Sequence, residues 1–180
     1  MAGMYFIALV APDEINGQVL KWKQFMKERF GCTVALRSPA HITLIPPFWM
    51  DEALEKNLEN SILDFSLLQK GFEIDLKGFS AFKPGVIYVD VLQNDSLQIL
   101  HSQLQKFLTI SGRYPVKIED RPYHPHVTIA TRDLYKKAFY EAWGIFKEKK
   151  YEALWRVNDI SFLKHNQKNW DVIFTSRFQN

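Results

Sequence analysis

Apolar residues along this chain recur in two rhythms, and their succession predicts the elements. Tyr5 to Val10 is a continuous apolar run with aromatic and aliphatic members, the pattern of a core strand. Pro12, Asp13 and Glu14 then open a helix, since proline suits the first turn and acids suit its positive end. Ile15, Val19, Trp22, Met26 and Phe30 share one face of it, and Gly31 stops it. Lys21, Lys23 and Lys27 alternate with polar residues and read as its solvated face. Thr33 to Leu36 reads as a strand. Asp51 caps a second helix reaching about Leu68, with Leu54, Leu58, Ile62 and Phe65 on one face. Phe72–Phe82 and Val86–Leu92 read as strands joined by the turn Lys83-Pro84-Gly85.

The same succession then returns. Asp95 starts a helix carrying Leu97, Leu100, Leu104, Phe107 and Leu108, stopped at Gly112. Val116–Ile118 reads as a short strand. Asp133 caps a helix through about Lys149, one strand runs near Trp155–Leu163, His165–Asn169 forms a polar loop, and Trp170–Phe178 is the last strand. Landmarks in the two halves keep a steady offset: His41 and His126 lie 85 residues apart, and Phe79 and Phe162 lie 83 apart. That regularity predicts a duplication, with a single domain built from repeats of roughly residues 1–84 and 85–180.

Each half carries the same four-residue pattern, His41-Ile42-Thr43-Leu44 and His126-Val127-Thr128-Ile129. In a strand, residues two apart share a face. His41 and Thr43 therefore point one way while Ile42 and Leu44 point into the core, and His126 and Thr128 repeat this over Val127 and Ile129. Histidine takes and gives protons near neutrality. Two imidazoles facing one phosphorus can divide the work: one activates the attacking oxygen and the other protonates the leaving oxygen. Threonine hydroxyls can donate to the phosphoryl oxygens on which charge develops. This chemistry needs no metal and no cofactor.

Composition narrows the setting. With 47% hydrophobic and 24% charged residues, disorder, collagen and coiled coil are excluded. A single cysteine, Cys32, excludes a disulfide scaffold, fits a reducing compartment and reads as a small hydrophobe. The net charge of +3 suits an anionic ligand. The longest apolar run, Met4 to Pro12, falls far short of the roughly 20 residues of a membrane span. No basic residue precedes it and acids follow at once, so it reads as a strand rather than a signal peptide, and the expected location is cytoplasmic.

The paired motifs and the duplicated layout resemble the 2H phosphoesterase superfamily, which includes the 2′-5′ RNA ligase-like proteins and the RNA 2′,3′-cyclic phosphodiesterases. Pro125-His126-Val127-Thr128-Ile129-Ala130 is similar to that family's second motif, whereas Ile45-Pro46-Pro47-Phe48 departs from its commoner sequel to the first. The resemblance implies an α+β fold, duplicated and bilobal. Two antiparallel sheets with helices outside would enclose a central groove about a pseudo-two-fold. It also implies metal-independent hydrolysis of a 2′,3′-cyclic phosphate, on an RNA end or small nucleotide, to a 2′-phosphate, together with weak 2′-5′ RNA ligation. His41 and His126 would be the acid and base, and Thr43 and Thr128 the clamp on the phosphoryl group. A monomer needing no protein partner and no membrane is expected. The rival reading is a non-catalytic module holding an RNA end or nucleotide in the same groove.

Other residues near the motifs could serve the groove. Phe48 and Tyr123 sit near the motifs and could stack on a base, and Arg121 could meet phosphate. Arg37, Lys83 and Lys164 read as solvated charge, with phosphate contact the sharper alternative. His124 makes a His-x-His with His126 but lacks the further ligands a metal wants, so it reads as a supporting or surface histidine. His101 is expected at the surface or boundary, and His165 in an exposed turn.

Overall fold

The central strand β1 (Ala2–Val10) is hydrogen-bonded along both edges and covered on both faces, and the second of these is why its sequence is apolar throughout. In the computed structural model, which describes residues 1–179, β1 pairs with β2 (His41–Asp51) and with a strand from the far end of the chain, β7 (Asp159–His165). Adding β8 (Trp170–Arg177) gives one four-stranded sheet ordered β2-β1-β7-β8. The second sheet contains β3 (Phe72–Phe82), β4 (Val86–Val91), β5 (His126–Ala130) and β6 (Glu152–Val157), ordered β5-β4-β3-β6. All ladders in both sheets are antiparallel.

The two orders are the same pattern. In each, a motif strand lies at the edge, next to the first strand of its own half, which in turn pairs with a strand from the other half. β3 leaves the first half to join β4, and β7 returns from the second half to join β1. Phe79 faces Val89 across one junction and Phe162 faces Ile7 across the other. The fold is thus α+β, duplicated and bilobal, but its lobes interleave the sequence halves.

Helices α1 (Asp13–Phe30), α2 (Glu55–Ser66), α3 (Asp95–Ile110) and α4 (Lys136–Phe146) complete the layers. Gly31 ends α1 at φ 73°, a left-handed conformation glycine adopts without strain, and its N–H donates to the Lys27 carbonyl. Asp51 accepts from Ala53 N at 3.1 Å and so caps a short 3₁₀ turn before α2. The cap of α3 is Asn94, accepting from Leu97 N at 3.0 Å. Tyr5, Ile7, Leu9, Ile42, Leu44, Val89, Val127 and Ile129 join one core that both sheets share. The opposite face of β1 presents Phe6 and Ala8, which pack with Leu163 and Trp170 beside the groove. Among the described residues, no helix is long and apolar enough to cross a membrane.

Four sequence expectations are corrected. Residues Val34–Arg37 form a 3₁₀ turn rather than a strand, because the N–H groups of Thr33 and Val34 are taken by the Asp133 carboxylate at 2.6 and 2.9 Å. Asp133 therefore caps that turn of the first half, and α4 starts only at Lys136 with Tyr135 at its N-cap. Residues 116–118 make no strand: Pro115 has no N–H to pair, while Tyr114 and Val116 bury their side chains within a loop. The single strand expected at Trp155–Leu163 breaks at Asn158, where the chain passes from one sheet to the other.

The Asp133 clasp joins residues 99 and 100 positions apart in the chain. Asp133→Ala should lower the unfolding free energy by about 1–3 kcal/mol, the worth of two hydrogen bonds, one of them partly buried, to a charged acceptor. Asp51→Ala, removing one exposed cap, should cost only about 1 kcal/mol. Urea titrations of both variants check the order; equal losses would show that the clasp adds nothing beyond a cap.

Candidate active site

Each motif begins its strand, so the histidine stands where a loop enters the ladder. His41 and Thr43 are partly exposed over buried Ile42 and Leu44; His126 and Thr128 are likewise partly exposed over buried Val127 and Ile129. The His41 ring rests on Phe6 with centroids 4.9 Å apart, and His126 rests on Tyr88 at 5.0 Å. Both supporting rings project from the strand beside the motif, β1 and β4 respectively.

The imidazoles are held alike. His41 Nδ1 lies 2.8 Å from the carbonyl oxygen of Pro39, and His126 Nδ1 lies 2.8 Å from that of His124. A carbonyl only accepts, so Nδ1 carries the proton in both rings. The ring nitrogen left for a ligand is Nε2 in each. Burial pushes the His41 pKa down to about 4 despite the Pro39 hydrogen bond, with the charges of Lys23 and His126 adding to the effect. Burial also lowers His126, and the neighbouring His124 works in the same direction. Burial therefore favours the neutral form of both imidazoles in the free site.

Two cavities meet at the motifs. The larger, 420 Å³, is bordered by His41, Thr43 and Thr128 together with Lys23, Arg37 and Arg132, and no carboxylate lines it. The smaller, 200 Å³, is bordered by Thr43, His126, Tyr123, His101 and Arg121. Thr43 borders both, so the two cavities adjoin at the motifs and between them are lined by all four motif residues. A third, 830 Å³ cavity lies at the β6–β7 junction around Asn158 and contains neither motif.

The remaining candidates divide. Phe48 lies away from both cavities: it is 8% exposed and packs on Tyr5, because five residues from Thr43 puts it on the opposite face of β2. Base stacking by Phe48 is therefore set aside. Tyr123 walls the smaller cavity in a fixed pose, with its ring stacked on His101 at 3.7 Å and its hydroxyl donating to the Thr43 carbonyl at 2.9 Å. Arg121 is exposed on the loop beside it. Lys164 pairs with Glu55 at 2.8 Å, and Lys83 lies over Trp143, so neither faces the motifs. His124 Nε2 meets the Tyr88 hydroxyl at 3.1 Å. His165 borders the larger cavity against Trp170. His101, expected at the surface, is 8% exposed, buried by its stack on Tyr123.

Sequence reasoning missed Lys23 and Arg132. The signal for Lys23 was available: it falls four residues after Val19 and three before Met26, on the buried stripe of α1. Arg132 follows the second motif in a turn at φ 44°, a position no periodicity marks.

Two antiparallel sheets presenting paired His-x-Thr strands to one groove define a class, and comparison with known proteins places the chain in it. Residues 11–169 match the 2′-5′ RNA ligase superfamily, and the chain belongs to that family. It is 37% identical over 132 residues to a putative phosphoesterase of Geobacillus kaustophilus, covering 72% of this chain and 69% of that one. It is 31% identical over 96 residues to the RNA 2′,3′-cyclic phosphodiesterase of Bacillus subtilis, and that match spans about half of each protein, 51%. The fold is that of E. coli LigT, solved with 3′-AMP: TM-score 0.70 at 18% identity, over 100% of both chains.

Burial also holds His101 neutral, with its pKa down to about 4. A folded-state pKa below the free value of about 6.5 stabilises the fold above pH 6.5, and that contribution is lost as pH falls towards 4. His101→Phe keeps the stack on Tyr123 and removes the titration. It should reduce the stability loss between pH 7 and pH 4 by up to about 3 kcal/mol. Urea unfolding across that range measures it, and an unchanged acid slope would refute the assignment.

Proposed function

We propose that this protein is a phosphodiesterase that opens a 2′,3′-cyclic phosphate, on an RNA end or a small nucleotide, to a 2′-phosphate. In this reading the domain consists of two repeats, 1–84 and 85–180, each contributing one half of the reaction. One observation carries the proposal: both motif imidazoles donate Nδ1–H to a backbone carbonyl two residues earlier, leaving Nε2 of each ring free in residues that, with Thr43 and Thr128, line two adjoining cavities. The name of the Bacillus subtilis relative supports the reaction class, and the larger cavity, bordered by Lys23, Arg37 and Arg132 with no carboxylate, suits an anionic substrate.

The step needs one neutral and one protonated imidazole. The neutral Nε2 takes a proton from water as its oxygen attacks phosphorus. The bond from phosphorus to the ribose 3′ oxygen breaks, and the protonated Nε2 gives its proton to that oxygen. Thr43 and Thr128 donate to the non-bridging oxygens, where charge grows in the transition state. Binding of the anionic phosphate offsets the burial that otherwise keeps both rings neutral, supplying the one protonated imidazole the step requires. With a ribose 5′ hydroxyl in place of water as nucleophile, the same groups open the ring to a 2′-5′ linkage. Every group comes from one chain, so a monomer suffices.

His41→Ala and His126→Ala should each lower turnover of a 2′,3′-cyclic nucleotide about 10²–10⁴-fold, the worth of one general acid or base. Thr43→Ala and Thr128→Ala should cost about 10–10³-fold. The double histidine variant should be little worse than either single one, because the pair acts as a unit. The kcat/KM profile should be bell-shaped, with its alkaline limb below the free imidazole value of about 6.5, since burial lowers both rings. Activity should persist in chelator. Near wild-type turnover by either histidine variant on every cyclic phosphate tried would overturn the two-histidine mechanism, and no turnover by the wild type on any of them would leave a nucleotide-binding role.

A further inference from the structure

Lys23 has no structural reason to be a lysine. It sits on the buried stripe of α1 between Val19 and Met26, where a methionine or leucine would pack. It is 4% exposed, yet its ammonium has only one neutral partner, the Ser38 carbonyl at 2.9 Å. Two of its three N–H donors remain unpaired, and no carboxylate lies in salt-bridge range among the described residues. Burying a cation this way is costly. The pKa falls to about 8 through burial alone, so the side chain is still largely charged at neutral pH.

Its position gives the charge a use. Lys23 and Arg37 border the larger cavity beside His41, and both also border an adjoining 280 Å³ cavity that runs on towards Asn169 and Trp170. Neither cavity is lined by an acid. The motif residues already supply what a single reacting phosphoryl group requires. Three cations, Lys23, Arg37 and Arg132, border the His41 side with no acid among them, and Lys23 is desolvated; the His126 side offers Tyr123, His101 and prolines, with one cation, Arg121, offset by Glu119.

We propose that Lys23 and Arg37 form a second phosphate subsite, which takes the 5′-phosphoryl group of the nucleotide whose cyclic phosphate lies at the histidines. The inference rests on the phosphodiesterase reading and narrows it: the substrate carries a phosphate at both ends of its terminal nucleotide. A bound phosphate would use the free N–H donors of Lys23 and neutralise the charge the fold leaves bare. Arg37, exposed at the rim, would close on the same group from outside.

The test compares three substrates: a nucleoside 2′,3′-cyclic phosphate, the same compound with a 5′-phosphate, and a dinucleotide ending in a cyclic phosphate. The wild-type protein should favour at least one of the last two by about 10–100-fold in kcat/KM, the worth of a charge-assisted hydrogen bond. In Lys23→Met that advantage should collapse to about one, and in Arg37→Ala it should shrink. Preference for the 5′-phosphorylated mononucleotide alone identifies a small-nucleotide substrate; preference for the dinucleotide identifies an RNA end. Equal losses on all three substrates would mean that Lys23 serves the histidines or the fold, and no loss would mean that it serves neither; both overturn the subsite. Should the wild type open none of them, the reaction class fails separately. Calorimetry with a nucleoside 2′,5′-bisphosphate against the 2′-monophosphate then decides the subsite: tighter binding of the bisphosphate that Lys23→Met abolishes upholds it, and equal binding rejects it.

Discussion

The hydrogen bonds from His41 Nδ1 to Pro39 and from His126 Nδ1 to His124, each 2.8 Å, set the chemistry of the molecule. Each uses a backbone carbonyl that lies just outside the strand, where no ladder partner claims it. Because the acceptor cannot donate, the bond fixes the tautomer and the ring direction together. Phe6 and Tyr88 then support the rings from the neighbouring strands. Two imidazoles made equivalent in this way differ only in what surrounds them, so the fold can assign unlike protonation states through environment alone.

Bringing the two motifs to one space depends on strand exchange. If each half folded on its own, its motif strand would lie in a small separate sheet. Instead β3 and β7 cross over, and the apolar faces of both sheets share a core. Polar contacts confirm the coupling at the groove: Tyr123 of the second half donates to the Thr43 carbonyl of the first, and Asp133 takes the N–H groups of Thr33 and Val34. Contacts of this kind position the groups before substrate arrives, and such preorganisation is what makes electrostatic stabilisation effective.

Charge in the groove is distributed unevenly around that symmetric frame. The His41 side gathers Lys23, Arg37 and Arg132, and the His126 side has aromatic and proline walls with Arg121 at the rim. A substrate with an anionic end and a flat apolar end would lie in one direction only. Duplication supplied the matched His-x-Thr pairs; divergence between the halves supplied a direction.

The sequence by itself determined the strand-helix alternation, the doubled His-x-Thr pattern and the faces of its residues, because strand and helix periods are local properties of the chain. The burial of Ile42 and Leu44 beneath His41 and Thr43 follows from alternation alone. Only tertiary structure decided what depends on partners distant in sequence. Asn158 divides one extended stretch between two sheets, because its first part pairs with β3 and its second with β1. Asp133 caps a turn across the molecule although its local context reads as a helix start. Lys23 resembles its solvated neighbours Lys21 and Lys27 in sequence, and His101 resembles a boundary residue. Burial of both is set by the elements that close over α1 and α3, and no periodicity along the chain records which elements those are.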